Sequence, residues 1–418
     1  MSVVIKDVEI LGREGRWDVL VEDGNIQKLS KDELDGAKSK DGSGKTLSPG
    51  FFNTHTHAAM SLFRGVADDR AFWDAWPEIV WPLEENLTEE DVFWGTKLAC
   101  LEMIKSGTVC FNDMYFFMES AVDAVEDMGM KAVLSYGVID QNDPDKLDDE
   151  IEITKRFVEY AERSDLVKPA LGPHSVYTLS KEGLEWCAEY ADKKDLLVNI
   201  HLAETKKEKE DFEEEHDLHF TDYLNDVGLL NEKVIAAHCV WLEEKDIERM
   251  AENDVVISHN PTSNMKLAVG KPMNFAAMKE ANADITIGTD GCVSNNNLDI
   301  LEEAKIAALQ QKMPGDATLL TAEEAFNMIT KDGAEAMRFN SGIIKEGISA
   351  DLILVEKGVN GIPDHDTISN LIYSMGGACV TDTMVDGKFI MEDRKVKNED
   401  EILRKASEKA KALLSMVR

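Results

Sequence analysis

The stretch "FFNTHTHAAMS" (residues 51–61) sets His55 and His57 two positions apart, just after a turn-forming "SPG" and an apolar pair. Side chains two apart in an extended strand share a face, and two neutral imidazoles on one face are suited to hold one metal ion. Three more residues end short apolar runs in the same manner: His201 in "LLVNIH", His238 in "VIAAH" and Asp290 in "ITIGTD". The pattern assigns His55, His57, His201 and Asp290 as metal ligands and leaves one position open to water, with His238 as the rival fourth imidazole. A metal-bound water becomes a nucleophile near neutral pH and needs a group that takes a proton and returns it. Glu204 in "HLAET", three residues past His201, is the candidate. His238 is placed to stabilise or deprotonate the attacking oxygen, and Asp290 to accept a proton as well as touch the metal. Glu204, His238 and Asp290 are thus the catalytic candidates.

Such residues need a scaffold that brings distant strand ends together. Eight apolar runs alternate with helical patterns: 51–57, 108–113, 132–138, 168–174, 196–201, 234–238, 255–259 and 285–290, with an amphipathic stretch from Glu89 to Gly107 between the first two. Alternating strands and helices imply parallel strands, and eight of them imply an α/β fold of the (β/α)8 TIM-barrel type. No G-x-G-x-x-G follows an early strand, which argues against an open doubly wound sheet. Most of the runs end in histidine or aspartate, and barrel active sites lie at the C-terminal strand ends. The barrel is expected over 50–342. Residues 1–49 and 343–418 read as short strands with D-G hairpin signals at 23–24 and 386–387, so the two ends are expected to form a small β-sandwich domain. A charged helical segment, "NEDEILRKASEKAKALLSMVR", closes the chain.

The 418 residues are 43% hydrophobic, and 45 basic against 81 acidic side chains give a formal charge of −36. That surface repels nucleic acid and anionic membrane. The six scattered cysteines contain no C-x-x-C and fit a reducing compartment. The first residues carry charges throughout, with no signal-peptide core, and no apolar run is long enough for a membrane span. A cytoplasmic, soluble protein is expected.

The motifs "SPGFFNTHTHAAMSLFRG", "GPHSVYTLS", "HLAET", "SHNPTSNMKLAVG" and "GTDGCVSNNNLD" resemble those of the amidohydrolase superfamily. Within it they are similar to the methylthioadenosine/S-adenosylhomocysteine deaminase group, which includes the 5′-deoxyadenosine deaminases. The likeness runs through the barrel and both β-rich ends. It implies one Zn2+ per subunit at His55, His57, His201 and Asp290, with Fe2+ or Mn2+ as alternatives. It also implies hydrolytic deamination at C6 of an adenine ring, as in salvage of S-adenosylmethionine by-products. Glu204 would carry a proton from water to the neighbouring ring nitrogen. By the same resemblance Glu84 in "WPLEENLT" binds the ribose hydroxyls, which a carboxylate suits, and His174 contacts substrate alongside Glu204 and Asp290. A small-molecule nucleoside substrate and a homo-oligomer are the implied partners.

Trp73, Trp76 and Trp81 crowd nine residues and are expected to form an apolar wall for the substrate or an interface. The loop "YGVIDQNDPDKLDDE" has Lys146 but no arginine before Arg156, and its four aspartates and one glutamate between 143 and 150 would repel a carboxylate. Small uncharged 5′ groups are therefore expected over S-adenosylhomocysteine. A free-base deaminase of the guanine type and a triazine-type chlorohydrolase are the alternatives on the same scaffold, and a non-catalytic barrel is the alternative outside enzymes. His216 and His219 read as part of an exposed helix, His259 as a loop anchor and His365 as structural or exposed. Cys239 and Cys292 lack the partners of a nucleophile.

Overall fold

The computed structural model describes every residue except Met1, Ala37 and Arg418, and excludes the side chains of Phe72, Trp73 and Val417. The eight apolar runs become strands β6 to β13, after five N-terminal strands: β1 (Ser2–Ile10), β2 (Arg16–Glu22), β3 (Asn25–Ser30), β4 (Ser39–Asp41) and β5 (Lys45–Pro49). The barrel strands are β6 (Phe51–Thr56), β7 (Thr108–Tyr115), β8 (Lys131–Val138), β9 (Val167–Pro173), β10 (Leu197–Leu202), β11 (Val234–His238), β12 (Val256–His259) and β13 (Ile285–Ile287). They pair in parallel in sequence order, each beside the next.

The seam between β13 and β6 is closed by individual bonds. The Asp290 N–H donates to His55 O (2.9 Å), and the Asn53 amide exchanges bonds with Thr289 at 2.7 and 3.0 Å. Gly288 permits this approach: a Cβ there would lie 2.7 Å from the His55 Cβ and backbone nitrogen. Inside the barrel a polar layer underlies the histidines. Asn112 and Asn199 exchange amide bonds at 2.7 Å, and Thr54 meets Ser258 and Thr286 at 2.8 and 2.9 Å. Buried polar groups persist where they are paired in this way. Phe52, Val109, Val133, Leu197 and Ile235 seal the floor.

The terminal segments form one nine-stranded sheet, in which β14 (Leu352–Glu356), β15 (Val380–Val385), β16 (Lys388–Glu392) and β17 (Lys395–Val396) join the N-terminal strands through β5. The two D-G pairs are the hairpins β2–β3 and β15–β16. Rather than two separate sheets, this one sheet curls until Asn25 bridges Ser349, around a shared cluster including Ile5, Val19, Leu47 and Leu352. Buried Lys131, at the start of β8, pairs with Asp351 at 2.7 Å and Asp386 at 2.5 Å, tying the barrel to this sheet. Burial opposes its charge, but the two carboxylates raise its pKa.

The amphipathic stretch is a helix, Glu89–Ser106, capped by Thr88 and ended by Gly107 at φ 93°. The C-terminal helix Glu399–Val417 lies against it, with Lys105–Glu399 and Lys409–Glu90 pairs of 2.6 and 2.8 Å. Among the described residues no helix is long and apolar enough to cross a membrane, and the six cysteines are free, five of them buried.

Candidate metal centre and its cavity

The C-terminal ends of β6, β10 and β11 and the turn after β13 converge on one point. His57 Nε2 is 3.2 Å from His201 Nε2, and Asp290 Oδ1 lies 3.3 Å from His57 Nε2 and 3.6 Å from His55 Nε2. Ligand atoms of His55, His201 and His238 also lie within 4.8 Å of one another. The outer nitrogens settle the tautomers: His57 Nδ1–H donates to Met114 O (2.7 Å) and His201 Nδ1–H to His174 O (2.8 Å). The two Nε2 atoms of His57 and His201 therefore crowd each other at 3.2 Å, and among the described residues the buried His55 Nε2 has no hydrogen-bond partner, with Asp290 Oδ1 3.6 Å away. A cation relieves this arrangement, and carbonyl-anchored imidazoles beside a carboxylate are the donor set a zinc-like ion takes. The residues fit the metal.

Electrostatics agree. Burial, with the neighbouring imidazoles, pushes His55 down to about 4 and His174 to about 3, and places His201 well below the ordinary range, so all three are neutral. Burial opposes ionisation of Asp290, but His55 and the other imidazoles hold its pKa well below the usual carboxylate value. Its Oδ2 accepts from Ser263 (2.6 Å) and Ser294 (2.8 Å), its Oδ1 from the Gly291 N–H (2.7 Å). Glu204 has its Oε1 3.8 Å from His238 Nδ1. Its pKa is raised by burial first and by Asp290, against the pull of His238. His238 donates to Asn264 Oδ1 (2.9 Å); burial lowers its pKa, yet Glu204 and Asp290 leave it raised. His238 and Asp290 hold left-handed backbone, φ 72° and 61°. Such strain costs about 1–3 kcal/mol per residue and gathers at working sites.

These groups open onto a cavity of about 780 Å³. Glu84, which reads as a surface acid in the sequence, reaches this cavity and accepts from Tyr115 OH at 2.9 Å. Burial raises its pKa to about 7, against the Tyr115 bond. His174 lines the cavity with Nδ1 on Thr178 Oγ1 (3.0 Å). Trp76 and Trp81 form part of the wall, and the Trp73 side chain is outside the described residues. The acidic loop behaves differently from its expectation. Asp143, Asp145, Asp148 and Asp149 are exposed, and Gln141 and Asn142 line the cavity instead. Asp143 is used up as a helix cap on Asp145 N–H, which turns the run outward. Among the described residues, no lysine or arginine lines the cavity.

Other histidines depart from the sequence reading in detail. His259 is fully buried with neither ring nitrogen bonded, rather than an anchor through its side chain. His216 is half-buried, its ring 4.7 Å from Phe212, and His219 is half-buried near Glu243, because the helix they border packs on one face. His365 lies in an exposed loop. The reading missed Tyr115, Ser263, Ser294, Asn264 and Glu208. Only Glu208 carried a local signal, the T-x-x-E of a capping box.

The amidohydrolase family pattern matches residues 46–390. The chain is 44% identical to the 5-methylthioadenosine/S-adenosylhomocysteine deaminase 1 of Archaeoglobus fulgidus, over 98% of this chain and 99% of that one. It is 45% identical to the 5′-deoxyadenosine deaminase of Methanoregula boonei, over 90% and 86%. Among solved structures, an adenosine deaminase from Xanthomonas campestris with bound zinc superimposes at a TM-score of 0.93, with 29% identity, over 99% of this chain and 98% of that one.

Proposed function

The chain belongs to the amidohydrolase family, and from that premise and the geometry of its site we propose that it is a metal-dependent hydrolase that deaminates 5′-substituted adenosines. 5′-Deoxyadenosine and 5′-methylthioadenosine are the foremost substrates, giving the inosine analogue and ammonia. The observation that carries this reading is the meeting of an imidazole–aspartate cluster, the carboxylate of Glu204 and the Tyr115-bound carboxylate of Glu84 in one cavity. His55, His57, His201 and Asp290 would hold one zinc ion per subunit. When bound, the ion supplies the Lewis acidity that makes water a nucleophile near neutral pH.

The rest falls to the chain. Glu204, its proton affinity raised by burial, takes a proton from the attacking water and gives it to the ring nitrogen beside C6. Water oxygen adds to C6, Asp290 accepts the second proton, and its transfer to the amino group lets ammonia leave. His238, drawn toward its charged form by Glu204 and Asp290, stabilises oxygen charge at C6. Glu84 accepts hydrogen bonds from the ribose diol, and His174 contacts the substrate. Ammonia release from adenosine, 5′-deoxyadenosine, methylthioadenosine and S-adenosylhomocysteine, with guanine as control, tests this. Activity on guanine alone would overturn it.

Glu84→Ala should raise KM for a nucleoside about 10–100-fold, as expected for losing hydrogen bonds to a charged acceptor worth roughly 1.5–3 kcal/mol. Turnover of a free base would be untouched. Because the Glu84 pKa is raised to about 7, its carboxylate is ionised above that pH and protonated below. KM should therefore rise as pH falls through about 7, and Glu84→Gln should flatten that limb. A pH profile of KM that is the same in both forms would refute the assignment.

With no lysine or arginine on the described cavity wall, a carboxylate tail finds no cationic side-chain partner there and meets Glu84, Glu85, Glu204 and Asp290. S-adenosylhomocysteine should show kcat/KM about 10-fold or more below 5′-deoxyadenosine, a difference of about 1.4 kcal/mol. Comparable values in a competition assay would remove the charge argument.

A further inference from the structure

We infer that Glu208 is a positioning residue for Glu204: its carboxylate fixes the backbone that aims the proton carrier. The inference rests on the role of Glu204 proposed above. Glu208 is buried and accepts three successive backbone N–H groups, Ala203 on Oε1 (2.9 Å) and Glu204 and Thr205 on Oε2 (2.7 and 3.4 Å).

Helix capping explains only the weakest of these bonds. Thr205 caps the helix Lys206–His216, with its Oγ1 accepting from the Glu208 N–H (3.1 Å). In a capping box the glutamate returns one bond to the cap residue. Here its two shorter bonds go upstream of the helix, and one holds Glu204 itself. Ala203 has left-handed backbone, φ 50°, a conformation uncommon for a residue with a Cβ. The Glu208 bond on one side and the Trp241 N–H donating to Ala203 O (2.8 Å) on the other hold it there.

The Glu204 side chain has no such support. Among the described residues no hydrogen bond holds its carboxylate, and its nearest charged neighbour is His238 at 3.8 Å. The direction of that carboxylate is therefore set through its main chain. A shift of about 1 Å in a reacting group can reduce rate by about 10²-fold, so a residue that fixes the main chain acts on turnover rather than on substrate binding.

Four variants of the zinc-loaded protein, E208Q, E208D, T205V and E204Q, separate the possibilities, each assayed with 5′-deoxyadenosine for kcat, KM, zinc content and melting temperature. In E208Q the amide NH2 faces an N–H that the carboxylate oxygen had accepted, and E208D is one methylene too short to reach both ends of the loop. Both should lose about 10–100-fold in kcat, with KM within about threefold and zinc content unchanged. T205V removes the cap but leaves the two upstream bonds, so it should melt lower with kcat within about twofold of the parent. If E208Q does not fold, E208D against T205V makes the same comparison. Full kcat in both Glu208 variants while E204Q is inactive would overturn the inference. So would an equal kcat loss in T205V, which would reduce Glu208 to a helix cap. An active E204Q would overturn the role of Glu204 and this inference with it.

Discussion

Glu204→Gln is expected to lower kcat by about 10²–10⁴-fold, the usual worth of a positioned general acid–base, with KM and zinc content nearly unchanged. The amide keeps the size of the side chain but can no longer accept a proton from water and return it to the ring. Among the described residues nothing else in the cavity is as well suited. Asp290, whose pKa is held low by its imidazoles and which accepts from two serine hydroxyls, is assigned the second proton and is a weaker base for the first. His238 is held by Asn264 through Nδ1. Among the described residues lining the cavity, Glu204 combines a raised proton affinity with a carboxylate that no side chain hydrogen-bonds, 3.8 Å from His238. Steady-state ammonia release with parallel metal analysis measures the effect. A variant within tenfold of the parent rate would mean that the proton travels by His238 or Asp290.

The second large effect belongs to the metal centre. His57→Ala should abolish activity and most metal binding. Stripping the parent protein with a chelator should do the same, reversibly on adding zinc. The physical reason is the crowding of the Nε2 atoms of His57 and His201, 3.2 Å apart, beside a His55 Nε2 that has no hydrogen-bond partner among the described residues. A cation gives these crowded, buried nitrogens a partner, so metal binding should add to the stability of the folded chain. Ligand binding to the folded state alone stabilises by about 4 kcal/mol at a thousandfold excess over Kd. The stripped protein should therefore melt several degrees lower, and His57→Ala should gain little from added zinc. A His57→Ala protein that kept a full equivalent of metal and its activity would remove His57 from the ligand set.

The parts whose geometry is local are legible in the chain alone. His55 and His57 lie side by side, ring centroids 5.0 Å apart, because two-residue spacing in a strand leaves little choice. The eight runs form eight parallel strands, since a strand followed by a helix returns to the same sheet edge in one sense only. Strand-end residues such as His201, His238 and Asp290 then meet because all parallel strands end at the same mouth. The D-G hairpins are legible for the same reason, as their backbone twist is set by two residues.

Features that depend on segments far apart in the chain emerge only from the folded packing. Glu84 and Glu85 are adjacent acids in sequence, yet Glu84 is bonded to Tyr115, 31 residues on. Ser263, which donates to Asp290 from 27 residues upstream, is brought to it on the short helix Pro261–Lys266. The aspartates of 143–149 turn outward as helix cap and solvated face, and Gln141 and Asn142 take the cavity. Burial fixed the proton affinities as well: the same carboxyl group is raised to about 7 in Glu84 and held far below the ordinary range in Asp290. Composition and spacing carry no record of which loop covers which side chain, because desolvation and long-range contacts exist only once the barrel has closed.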